Sequence, residues 1–226
     1  MIAEQIEKLM ASIPRVSDEE SDKWNWKHDL RPRVTATKLP KRFCRPLEWG
    51  GTPQFFVFEQ CKSILTGTGA IVVLVGPRGV GKTTIAAQLI IERACDASLT
   101  PAARQPPYRK MSDVVALFKP LYSDYGSRNT EKLIQRREDY ARFPLLVIDE
   151  IHECEEQKSK DRVMIDILDR RYAARNDTLL ITNQTPREFE DDTDESIISR
   201  MREHGRIIEC NWESFRVRPL EPALPF

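Results

Sequence analysis

Apolar residues along this chain alternate between short β-branched runs and stripes at helical spacing. Ile71-Val72-Val73-Leu74-Val75 and Leu145-Leu146-Val147-Ile148 are continuous apolar runs that suit strands buried on both faces. Thr178–Thr182 and Arg206–Glu209 predict two more strands, and Tyr108–Met111 a weaker one. Between them the spacing predicts helices over Phe55–Leu65, Ile85–Ala94, Thr130–Tyr140 and Lys160–Ala174, the last on a Val163, Ile165, Ile167, Leu168 stripe. Ser112 and Asp113 are placed to cap a further helix running to Leu121. Strands alternating with helices predict an α/β fold, a parallel sheet with helices on both faces, as in nucleotide-binding domains.

The N-terminal part breaks that rhythm. Residues 1–22 are acidic on balance, with Ile2, Ile6, Leu9, Met10 and Ile13 on one helical stripe. From Lys23 to Arg45 the sign flips: eight lysines and arginines face the single acid Asp29, and Pro32 and Pro40 favour extended backbone. Residues 1–45 are therefore expected to form an arm outside the fold, an acidic helix followed by a basic extended segment, with the domain proper over 46–226. Trp24 and Trp26 stand among Lys23, Lys27, His28 and Arg31, a mixture that can stack on bases or dock onto protein. Docking, onto the core or a partner, is the favoured reading.

Composition narrows the class. Of 226 residues, 40% are hydrophobic and 31% charged, with zero formal net charge, which argues against a uniformly basic DNA-coating protein but leaves room for a local basic face. Ala70–Val75 is the longest apolar run, too short to span a membrane, and the acidic N-terminus lacks a secretory n-region. The five cysteines form no CxxC pair and no metal-ligand spacing with the three histidines, so a disulfide framework or zinc site is not expected and a reducing cytoplasm fits.

The chemistry concentrates after the first strand. Gly76-Pro77-Arg78-Gly79-Val80-Gly81-Lys82-Thr83 satisfies GxxxxGK followed by Ser or Thr, with Thr84 next, between a predicted strand and a predicted helix. Such a loop wraps polyphosphate with its N–H groups, and the helix start adds its positive dipole end. Lys82 is expected on the β- and γ-phosphates and Thr83 on magnesium. The Leu145–Ile148 strand delivers Asp149 and Glu150, one to hold the magnesium ion through water, the other to polarise the attacking water. Asn183 ends the third strong strand, either between the phosphate loop and the Asp149 strand, where it can sense a γ-phosphate, or simply opening the Gln184-Thr185-Pro186 turn. Downstream, Ile197 and Ile198 bury one helix face and leave Arg200 or Arg202 projecting, as a trans-acting finger in an oligomer or as surface arginines paired with nearby acids.

The phosphate loop, Val147-Ile148-Asp149-Glu150, Arg171-Tyr172, Ile181-Thr182-Asn183, Ser199-Arg200-Met201 and the closing Asn211-Trp212-Glu213-Ser214-Phe215-Arg216 occur in an order that resembles the DnaC/IstB-type branch of AAA+ ATPases. That branch covers replicative-helicase loaders and the ATPase helpers of insertion-sequence transposases, and the similarity runs from about Leu39 to Arg216. The resemblance implies an AAA+ P-loop NTPase without a C-terminal helical lid. It also implies ATP and Mg2+ as cofactors, Asn183 as first sensor and Arg200 as the finger acting in trans in an ATP-dependent homo-oligomer. The partners it implies are DNA, single strands favoured, and a replicative helicase; the alternatives are a transposition helper on duplex DNA with a transposase, and an ATP-switched module with little turnover. Loaders of this branch place single-stranded DNA against helices preceding the Asp149 strand, an interval that here carries Lys119, Arg128, Lys132, Arg136 and Arg137. A solvated charged helix explains the same residues equally well. The short arm without a zinc site departs from typical loaders.

Overall fold

The computed structural model describes residues 34, 36–43, 51–96, 98–99, 106–122, 130–153 and 157–214. Five parallel strands, β1 (Ile71–Val75), β2 (Tyr108–Lys110), β3 (Leu145–Asp149), β4 (Asp177–Ile181) and β5 (Arg206–Glu209), form one sheet in the order β2-β3-β4-β1-β5. The three central strands are buried along their whole length, which is why they read as continuous apolar runs, while edge strands β2 and β5 alternate or expose their residues.

Among the described residues seven helices flank the sheet: α1 (Pro53–Ile64), α2 (Lys82–Cys95), α3 (Met111–Phe118), α4 (Thr130–Arg142), α5 (Gln157–Ala173), α6 (Pro186–Asp191) and α7 (Glu195–His204). One face buries Val72, Leu74, Leu145 and Val147 against Val57, Phe58 and Cys61 of α1 and Ile85, Leu89 and Ile90 of α2. The other buries Ile71, Val73, Leu146 and Ile148 against Val114 and Phe118 of α3, Val163, Ile167 and Leu168 of α5 and Ile197 and Met201 of α7. Successive strand residues thus feed opposite layers, as the two-residue period requires.

Two connections lock the sheet at its amino end. Asp177, fully buried at the start of β4, accepts from the backbone N–H groups of Gly67, Thr68, Gly69 and Ala70 at 2.7, 3.2, 3.1 and 3.0 Å. Arg171, fully buried near the end of α5, donates to Thr178 Oγ1 at 2.8 Å and to the carbonyls of Tyr140 and Asp177, tying α4, α5 and β4 together.

Some expectations are corrected. The helix predicted to run from a Ser112/Asp113 cap to Leu121 starts at Met111, behind an N-cap at Lys110 with no side-chain bond, and stops at Phe118. It tightens into a 3-10 turn over Lys119–Tyr122 because Pro120 has no N–H to continue it. Residues 34–43 were expected in an extended arm outside the fold. Instead Val34 and Leu39 are buried in the α1/α2 layer, and the Thr37 carbonyl accepts from the Tyr108 N–H of edge strand β2 at 2.9 Å. Lys41–Phe43 forms a 3-10 turn. The apolar pair overrides the surrounding positive charge, because a strand edge and a core groove are there to receive it. The expected acidic helix over residues 1–22, Trp24, Trp26 and Phe215-Arg216 all fall outside the described residues.

Candidate functional site

The carboxyl ends of β1, β3 and β4 converge, and each delivers one part of the site. From β1 the chain turns at Gly76, whose φ of 131° and 2.4 Å approach of a would-be Cβ to the Cys210 carbonyl admit only glycine. The loop through Pro77, Arg78, Gly79 and Val80 then enters α2 over Gly81, at φ 94°. Val80 is buried and its carbonyl accepts from the Trp212 indole N–H at 2.8 Å, so the segment after β5 braces the outside of the loop. The buried Lys82 donates from Nζ to the carbonyls of Gly76 and Pro77 at 2.6 and 2.8 Å, which holds its ammonium across the loop it follows. Thr83 and Thr84 occupy the first turn of α2, which carries no acidic side chain, so the orphan N–H groups and dipole there favour an anion.

From β3 come Asp149 and Glu150. Asp149 is buried, and its oxygens are engaged on three sides: Thr83 Oγ1 donates to Oδ2 at 2.9 Å, Tyr108 OH to Oδ2 at 2.6 Å, and the Glu150 N–H to Oδ1 at 2.7 Å. Glu150 has φ 57°, a left-handed conformation that a non-glycine residue adopts at a cost of about 1–3 kcal/mol unless its surroundings fix it. Its Oε2 pairs with Lys110 Nζ at 2.7 Å, and this hydrogen bond, set against the burial that opposes it, raises the lysine pKa above its ordinary value.

From β4 comes Asn183. Because β4 lies between β3 and β1, Asn183 emerges between the Asp149 strand and the phosphate loop. Its amide donates to Glu153 Oε1 at 3.3 Å, and the same oxygen receives Arg78 at 2.7 Å. His152 completes this group: the Asn183 N–H donates to its Nδ1 at 3.4 Å, so the neutral ring carries its proton on Nε2, 3.5 Å from Glu153 Oε1. Burial pushes the His152 pKa below its usual value. Glu153 therefore links loop, β3 and β4, a role nothing in the sequence pattern marked. Tyr108 and Lys110 were equally hidden, since their parts follow from the β2–β3 register that sets Lys110 beside Asp149.

The donor set suits magnesium. A threonine hydroxyl and a carboxylate, 2.9 Å apart beside a phosphate-binding helix start, are the hard oxygen ligands this ion takes together with substrate phosphates. Among the described residues no cluster of three His, Cys, Asp or Glu side chains offers a self-sufficient protein cage.

The remaining candidates lie apart. Arg200 on α7 donates to the Ser196 carbonyl at 2.8 Å, pairs with Asp169 at 3.1 Å and sits over the Tyr172 ring, whereas Arg202 is largely exposed beside Glu190 at 3.7 Å. Of the cations expected on DNA, Lys132 and Arg136 lie on the exposed face of α4, one turn apart, and Lys119 is exposed on the 3-10 turn. Arg137 is turned inward instead, pairing with Asp166 of α5 at 3.4 Å, because α4 packs on α5 along that side. Arg128 lies outside the described residues. No helix among the described residues is long and apolar enough to cross a membrane.

Comparison with known proteins agrees with this fold. The replicative helicase loader DnaC of Escherichia coli K12 is 28% identical over 153 residues, 67% of this chain and 58% of the loader, so the chain spans under two thirds of that relative. A crystal structure of the DnaC helicase loader superposes with a TM-score of 0.57 at 16% identity, covering 75% of this chain and 99% of that one. The replication initiator DnaA bound to AMPPCP and single-stranded DNA gives 0.55 at 15% identity over 77% of this chain and 51% of that one. Both structures share the P-loop AAA+ fold. The family described as IstB-like ATP binding protein matches residues 59–222, and this chain belongs to that DnaC/IstB-like family of AAA+ P-loop ATPases.

Proposed function

We propose that the chain binds ATP with magnesium at Gly76–Thr84, hydrolyses it through Glu150, and uses the cycle to load a replicative helicase onto single-stranded DNA. The observation that carries the chemistry is the Thr83–Asp149 contact at 2.9 Å with Glu150 next in sequence, which brings a magnesium pair and a base to one strand end. Thr83 and Asp149 would hold the ion, which neutralises charge on the terminal phosphates when bound. Lys82 exchanges its loop carbonyls for phosphate oxygens. Glu150 leaves Lys110 to orient and deprotonate the attacking water, and Asn183 exchanges Glu153 for the γ-phosphate. Arg200 of a neighbouring subunit completes the site in an ATP-dependent homo-oligomer.

The loader reading is supported by the similarity to the E. coli loader. Lys132 and Arg136 supply the DNA face, and residues before Val34 supply a partner-docking arm in a cytoplasmic protein. Two phosphate contacts on a single strand give a salt slope of about −1.4 in log–log terms.

Steady-state ATP turnover measured alone, with single-stranded DNA and with duplex, at two salt concentrations, tests this. Stimulation by single strands that fades with salt, and loss of ATP binding in Lys82→Ala, is the expected result. Preference for duplex would move the assignment to a transposition helper. Binding without turnover under every condition would reduce the chain to an ATP-switched module.

A further inference from the structure

Tyr108 stands at the start of edge strand β2, where the residue is 5% exposed and its backbone is anchored on the Thr37 carbonyl. Register places it opposite Val147, two residues before Asp149, so Tyr108, Val147 and Asp149 face the same layer of the sheet. From there the phenol reaches along the strand, and its hydroxyl donates to Asp149 Oδ2 at 2.6 Å. A carboxylate offers about four lone-pair directions. Among the described residues Oδ2 receives both Thr83 and Tyr108, while Oδ1 receives only the Glu150 N–H. The free direction is therefore on Oδ1, and the orientation of the carboxylate is over-determined from both sides.

We infer that Tyr108 is a positioning residue for the magnesium site: it saturates Asp149 Oδ2 together with Thr83 and so turns the remaining lone pair of Oδ1 toward the water shell of the ion. This rests on the ATP–magnesium reading above. A hydroxyl that ligates a cation through its oxygen keeps its proton, so Thr83 still donates to Asp149 when the ion is held. The phenol is the second donor, and burial keeps bulk water from replacing it.

The test compares wild type with Tyr108→Phe in the full chain, titrating a fluorescent ATP analogue first in EDTA and then against Mg2+. Equal affinity in EDTA, with the Mg2+ midpoint raised about tenfold in the variant, as loss of a group that orients a metal-binding carboxylate typically causes, is the expected result. In the Asp149→Asn background Tyr108→Phe should cause no further change. An unchanged midpoint, or an equal loss of affinity in EDTA and Mg2+, overturns the proposal and leaves Tyr108 a packing residue. A wild type whose affinity ignores Mg2+ overturns the magnesium reading itself, and this inference with it. If Tyr108→Phe melts below the assay temperature, 13Cζ-tyrosine-labelled wild type gives the same answer. One ring signal should shift with Mg2+–ATP and not with ATP in EDTA, and no such signal refutes the proposal.

Discussion

Asp177→Asn changes one atom type at the amino end of the sheet, far along β1 from the phosphate loop that follows Val75. The carboxylate is fully buried and accepts four backbone N–H groups, Oδ2 from Gly67 at 2.7 Å and Oδ1 from Thr68, Gly69 and Ala70 at 3.2, 3.1 and 3.0 Å. An amide keeps one oxygen for the group of three and turns an NH2 toward Gly67, so a donor meets a donor. Turning the amide over is worse, since three N–H groups then face the NH2. Hydrogen bonds to a charged group contribute about 1.5–3 kcal/mol each and neutral ones about 1, and buried donors left without partners cost about 1–3. Arg93 and Arg171 also lose the negative charge that offsets their burial. Allowing for non-additivity among neighbours, the expected loss is about 3 kcal/mol, or roughly 6–12 °C in melting temperature for a chain of this size. Thermal and urea unfolding of the full chain measure it. ATP-analogue affinity, taken well below the melting point, should stay within about twofold, because nothing near Gly76 moves. A stability change below about 0.5 kcal/mol, or an affinity loss that precedes unfolding, would refute the argument.

Four further outcomes are expected. Lys110→Met frees Glu150 from a partly exposed ion pair worth about 0.2–1 kcal/mol, so turnover should rise by no more than about fivefold; a tenfold fall would make Lys110 a participant. His152 has a lowered folded pKa, so its contribution to stability is complete above the unfolded value of about 6.5 and is lost as pH falls through the folded one; His152→Asn should flatten that part of the stability–pH profile. Burial pushes the Cys61 and Cys210 thiols up to about 12, and peptide mapping after iodoacetamide treatment at pH 8 should find both unmodified in the folded chain. Arg200→Ala should keep ATP affinity and lose about 10³-fold or more in stimulated turnover, with Asp169→Ala, which removes its intrachain partner, remaining active; equal turnover in both would confine Arg200 to bracing α7.

What a local pattern encodes was legible in the chain, and what depends on strand register was not. Ile71–Val75 and Leu145–Ile148 announce buried strands, and the glycines at 76, 79 and 81 announce a loop with φ near 90–131°. Both are statements about a few consecutive residues. Tyr108 and Lys110 carry no such signal: a three-residue edge strand beginning with tyrosine means nothing until β2 is known to pair with β3 at Lys110 beside Asp149. Glu153 is similar, since it and its partners Arg78 and Asn183 arrive on three different connections. The basic helix shows the same limit on one turn, where Arg136 faces out and its neighbour Arg137 faces in, a distinction fixed only by where α5 lies.

Arg200 shows why contact alone does not decide a role. Its contacts to Asp169, Ser196 and Tyr172 are all within the chain, and their geometry is that of a brace. The pair with Asp169 is partly exposed, 27% on the arginine side and 42% on the aspartate side, which places its worth at about 1 kcal/mol or less. A guanidinium supplied across a subunit boundary accelerates phosphoryl transfer by about 10³–10⁵, equivalent to roughly 4–7 kcal/mol in the transition state. Releasing the brace therefore takes a small fraction of what the proposed role would return. An intrachain partner of that strength keeps a long cationic side chain ordered between encounters, and its presence weighs little against the trans finger.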